Sequence, residues 1–140
     1  LAEALNELNG PSQQIYDALN EIRNRAGIPN VEESWSNSSL TTQVGKHNDQ
    51  SGLREIIRQE RLIELCFEGH RYNDIRRWKL GYEYFSTPVR GWSVDEESQA
   101  DFYNVIDVGM RAFNSPRDYL HPISFNELNI NPNLVQNPGW

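Results

Sequence analysis

Apolar residues recur at helical spacing in three stretches of the chain and lose that period elsewhere. The first puts Leu1, Leu5 and Leu8 on one helical face and is broken by Gly10-Pro11. The second aligns Ile15, Leu19, Ile22 and Ala26 in a stripe, with Ser12 placed as N-cap and Gly27 as the stop. Two helices joined by so short a break form an antiparallel hairpin. The third stretch, residues 51–81, organises the chain. At about 100° per residue, Leu53 to Phe67 gathers Leu53, Ile56, Ile57, Ile63 and Phe67 into one stripe. Asp49 or Ser51 caps this helix, and Gly69 ends or bends it. Residues 70–80 then read as a shorter helix carrying Ile75 and Trp78, stopped by Gly81.

Elsewhere the period fails. Residues 28–50, rich in Ser, Asn and Thr with Trp35 among them, read as a long polar loop. Residues 82–99 read as irregular surface chain with many aromatics, and the β-branched and aromatic content of 101–113 predicts one or two short strands. Tyr119 to Ile123 is extended, since His121 precedes a proline. Ser124 and Glu127 have capping-box spacing ahead of a short helix, and the tail is turn chemistry with Trp140 docked on the body. The fold class is mainly α, a helical hairpin (1–27) and central helices (51–81) with a loop-rich C-terminal region (82–140) holding short strands.

Glu60 and Glu64 fall in the middle of the central stripe. An unpaired carboxylate there costs several kcal/mol, so each is neutralised, ion-paired or set at a cleft. Seven cations and five anions share residues 51–81. Arg71 and Asp74, and Asp74 and Arg77, are one turn apart. We therefore expect a structural ion network of Glu60, Arg61, Glu64, Glu68, Arg71, Asp74 and Arg77.

Composition narrows the function. With 140 residues, a net charge of -7 and 11% aromatic content, the chain is one domain or part of one and carries no basic patch for nucleic acid. No run approaches the roughly 20 apolar residues of a membrane span. The single cysteine, Cys66, excludes an internal disulfide and reads as a small core residue. His47, His70 and His121 are scattered without ligand spacing, so neither metal nor cofactor is expected. Glu60, Glu64 and Glu68 recur every four residues, but no catalytic motif accompanies them, and interleaved arginines favour structure over chemistry.

The aromatics carry more. Sugars present flat C–H faces to aromatic rings and hydroxyls to polar side chains at the edges, the general make-up of a ligand site. Trp92 with Tyr82, Tyr84 and Arg90 has that composition, as does Trp35 with its Asn and Ser neighbours. The competing reading is that these rings cover the helices, and for Trp78 and Trp140 it is preferred.

The run Glu60-Arg61-Leu62-Ile63-Glu64-Leu65-Cys66-Phe67-Glu68-Gly69-His70-Arg71, continuing to Asp74-Ile75-Arg76-Arg77-Trp78, resembles the signature of the SusD/RagB family. Ala2-Glu3-Ala4-Leu5-Asn6 with Asn20 to Gly27, and Tyr119-Leu120-His121-Pro122-Ile123 with Gln136 to Trp140, agree in order. The resemblance implies the C-terminal part of a SusD-like fold, with residues 1–27 a remnant of a tetratricopeptide-like scaffold. It also implies a nutrient-binding lipoprotein on the outer-membrane surface of Bacteroidetes, anchored by an N-terminal lipid. Such a protein binds glycan without turnover and works with a TonB-dependent transporter of the SusC type. Peptide binding, as in RagB-like members, and a carboxylate-based glycoside hydrolase are the alternatives. Ser124 stands where the family usually has a second proline.

Overall fold

The computed structural model describes residues 1–140 and opens with the hairpin, α1 (Ala2–Asn9) and α2 (Gln13–Arg25). Gly10 turns the chain at φ 73, a left-handed conformation that glycine adopts without steric cost. The buried face of α1 differs from the one its leucines suggest. Leu1 and Leu8 are exposed and Leu5 is only partly buried, while Asn6 is fully enclosed. The reason is a reciprocal pair with the central helix: Asn6 Nδ2 donates to the Gln50 carbonyl at 3.0 Å, and Gln50 Nε2 donates to the Asn6 carbonyl at 2.6 Å. Turning α1 to make that pair directs Leu1 and Leu8 outward.

Residues 28–50 are more ordered than a polar loop. They hold α3 (Val31–Ser36) and a 3-10 turn at Lys46–Asn48. Two side chains of α2 anchor them, Asn20 Oδ1 accepting from the Val31 amide at 2.8 Å and Arg23 Nε donating to the Pro29 carbonyl at 2.6 Å. Val31 thereby enters the core with Ile15, Leu19, Leu53, Ile56 and Ile57, and Trp35 packs against it.

The central helix α4 runs Gln50–Glu64, and Asp49 caps it through Oδ1, which accepts from the Ser51 and Gly52 amides at 2.9 Å each. It ends well before Gly69. Residues 65–69 are turn, with Phe67 at φ 65 and Gly69 at φ 77. Leu53, Ile56 and Ile57 are buried, but Ile63 and Phe67 are exposed, Phe67 completely so. Glu64 pairs with Arg25, the last residue of α2, so α2 offers no surface beyond that level to cover Phe67. Cys66 is exposed rather than a core residue, because it lies in this turn.

The chain divides after this turn into two units, Leu1–Gly69 and His70–Trp140. In the second, α5 (His70–Arg77) stops at Lys79, whose φ is 58. Gly81 does not merely stop it but starts a further helix, α6 (Gly81–Phe85). Glycine is required there by close approach: a Cβ would sit 2.3 Å from Phe113 Cζ. Phe113 is buried, 5.9 Å from Phe85 and 4.7 Å from Tyr119 between ring centroids. These rings form the small core of the unit.

Residues 82–99 also hold more regular structure than their pattern suggests. β1 (Pro88–Trp92) pairs antiparallel with β2 (Val105–Met110), and α7 (Gln99–Phe102) lies between them. Trp92 faces Val105 and Arg90 faces Asp107 in the register, which shifts between Val89 and Arg90. A 3-10 turn at Arg117–Tyr119 and α8 (Phe125–Ile130) follow; Ser124 stands at the N-cap without a side-chain bond. Trp140 docks on that turn, Nε1 donating to the Arg117 carbonyl at 3.0 Å.

Candidate functional site

The first unit keeps its charges for structure. Glu60, 15% exposed, is ion-paired with Arg23, which also donates to the Pro29 carbonyl and to Ser34 Oγ. Glu64 pairs with Arg25, whose side chain is 67% exposed. The partners of both carboxylates come from α2, four decades of sequence away, rather than from the arginines beside them. Asp49, Glu60 and Glu64 thus fasten α4 along its length. Arg54 forks onto Glu7 at 2.5 and 2.7 Å, and that hydrogen-bonded pairing holds the Glu7 carboxyl below its ordinary range. Burial pushes Glu32 up, but hydrogen bonds from Asn20, its own amide and Gln13 outweigh this and hold its carboxyl low.

In the second unit, buried Asp74 accepts from Arg77 Nε at 2.9 Å. The Arg71 guanidinium lies 4.9 Å from the Tyr84 ring and 5.9 Å from the Trp78 ring. Arg61 is half-buried and Glu68 exposed. No group of three His, Cys, Asp or Glu side chains is placed to hold a metal ion.

The five aromatic and basic candidates divide between the two units, Trp35 in the first and Tyr82, Tyr84, Arg90 and Trp92 in the second. Trp35 lies in the first unit, half-buried against the core with Lys46 Nζ 5.4 Å from its ring. Tyr84 is engaged by Arg71, and Tyr82 is exposed on α6. Arg90 and Trp92 share one face of β1, as alternate residues of a strand do. Arg90 is met there by Asp107 at 3.2 Å.

Trp92 instead gathers two rings that its local sequence does not announce. Its centroid is 5.1 Å from Tyr103, edge to face, and 6.0 Å from Phe102; Phe102 and Tyr103 are 5.2 Å apart. Trp92 and Tyr103 remain 54% and 53% exposed. The hairpin assembles them. The Ser93 amide donates to the Asn104 carbonyl at 3.1 Å, closing a ten-residue loop, and α7, capped by Ser98, brings Phe102 and Tyr103 back beside Trp92. Adjacent aromatics ten residues beyond a tryptophan were the available signal, but only the hairpin register makes it readable. The result is a solvent-facing cluster of three rings held by each other rather than by a core. It offers flat apolar faces for stacking.

The profile of the SusD family matches residues 1–140. The chain belongs to the SusD family. It is 37% identical over 140 residues to SusD-like protein P2 of Formosa agariphila, covering 99% of this chain and 23% of that protein. Among solved structures, a SusD-like protein of Bacteroides fragilis matches with a TM-score of 0.75 at 34% identity, covering 99% of this chain and 23% of that one. A SusD-like carbohydrate-binding protein of the same species matches with a TM-score of 0.66 at 37% identity, covering 95% and 26%. This SusD-family chain therefore spans about a quarter of the length of these relatives.

Proposed function

We propose that the protein binds glycan without turning it over, at the outer-membrane surface, and passes it to a TonB-dependent transporter of the SusC type. The observation that carries the reading is the exposed Trp92–Phe102–Tyr103 cluster. Three large rings outside any core serve either as cover or as a stacking platform, and here two of them keep half their surface in solvent. Membership of the SusD family supports the ligand class, since one solved relative is a carbohydrate-binding protein. Asn104 and the exposed loop carboxylates Asp95, Glu96, Glu97 and Asp101 are near the rings in sequence, and sugar hydroxyls need such acceptors and donors.

The test is a glycan array followed by calorimetry on the full-length protein and its Trp92→Ala variant. Stacking on one ring is worth about 1–3 kcal/mol, by analogy with bases on aromatic side chains, so affinity should fall tenfold or more. The melting temperature should hardly move, because Trp92 supports no core. Unchanged affinity, or wholesale unfolding, would mean that the ring is structural.

A further inference from the structure

We propose that this same surface selects glycans by charge, admitting neutral and amine-bearing sugars and turning away uronate-rich and sulfated ones. The inference rests on the glycan-binding reading above and adds the substrate class. Residues 88–110, which carry the platform, contain one cation, Arg90, and five carboxylates, Asp95, Glu96, Glu97, Asp101 and Asp107. Arg90 is spent on Asp107 across the hairpin. The other four carboxylates all belong to the loop that the Ser93–Asn104 hydrogen bond closes, and all four residues are exposed.

Their distance from the rings is bounded by the chain. Asp95 is three residues beyond Trp92, a span of at most about 10 Å between α-carbons even if extended. The chain is not extended there, because the Val94 amide donates to the Trp92 carbonyl at 2.9 Å and the Glu96 amide to the Ser93 carbonyl at 3.2 Å. Asp101 directly precedes Phe102 and accepts from Ser98 Oγ at 2.6 Å. A sugar seated on the rings thus lies within about one Debye length of several negative charges, with no free cation on the hairpin to offset them. Carboxylates accept hydrogen bonds from sugar hydroxyls and ammonium groups, whereas a sugar carboxylate or sulfate brings only acceptors and a like charge. Each such repulsion across water is worth about a factor of two, and several acting on one residue compound to about fivefold to tenfold at low salt.

An array of neutral, amine-bearing, uronate and sulfated glycans, probed at low and high salt with the full-length protein, tests this. A second protein carries Asp95→Asn, Glu96→Gln and Glu97→Gln together, and a third carries Trp92→Ala. We expect neutral or amine-bearing hits that are lost in the Trp92 variant. The triple variant should gain about fivefold to tenfold for anionic glycans of the same backbone, and high salt should narrow the difference. Uronate or sulfated glycans as the strongest hits, or a triple variant with unaltered selectivity, would overturn the charge selection while leaving glycan binding intact. Hits in no class, or hits indifferent to Trp92→Ala, would overturn the underlying reading and this inference with it.

Discussion

Two carboxylates on one helix, four residues apart and each paired with an arginine of α2, differ in worth because their partners differ in exposure. Arg23 is 8% exposed and Arg25 is in solvent. Glu60→Ala strands the Arg23 guanidinium inside, and we expect it to cost about 3 kcal/mol, the low end for a broken buried pair, since Pro29 and Ser34 still hold the arginine. Glu64→Ala removes a partner that water can replace, and about 1 kcal/mol or less is expected. Urea unfolding of the two variants compares them directly; equal losses would place both pairs in the same environment and contradict the burial. The stripe in α4 was enough to single out both glutamates, because side chains at positions 60 and 64 share a helical face by geometry alone. Which arginine answers each could not be read, since the partners lie 37 and 39 residues away.

At the scale of elements, close approach decides where glycine sits. The first turn of α4 runs so near the 3-10 turn at Lys46–Asn48 that a Cβ on Gly52 would lie 2.0 Å from the Lys46 carbonyl oxygen. Backbone cannot step aside as a side-chain tip can. Gly52→Ala should therefore destabilise by about 1–3 kcal/mol, although alanine is the better helix former and would stabilise an unobstructed turn. Thermal unfolding gives the sign, and a gain in melting temperature would show that the two turns are not in contact. The hairpin of β1 and β2 makes the complementary point. Its strands are short, and their period is interrupted by a register shift, so the residues facing each other across it are set by pairing and not by pattern.

For the whole molecule, the distribution of exposed apolar surface matters most. Leu1, Leu8 and Phe67 in the first unit, and Val105, Val108 and Met110 in the second, stand in solvent. Scattered single residues are ordinary, but this many predict that the 140-residue chain by itself binds hydrophobic dye and self-associates at raised concentration. Dye fluorescence and sedimentation would check it; a dye-silent monomer at all concentrations is the contrary outcome. Sequence alone determined the helical hairpin, the capped central helix, the mainly α class and the family, because helix period, caps and motif order are local properties that survive any tertiary context. Only the tertiary structure decided that residues 28–50 hold a helix, since Asn20 and Arg23 reach across to fix it. It alone decided that the buried part of the central stripe ends at Ile57, although α2 runs on to Arg25 beside Glu64, and that Trp35 packs against the core. The Trp92–Phe102–Tyr103 platform depends on a single closure, Ser93 to Asn104, between residues with no pattern in common. Contacts across such distances are chosen by which surfaces remain to be covered and which polar groups remain to be paired, and a linear pattern does not record that choice.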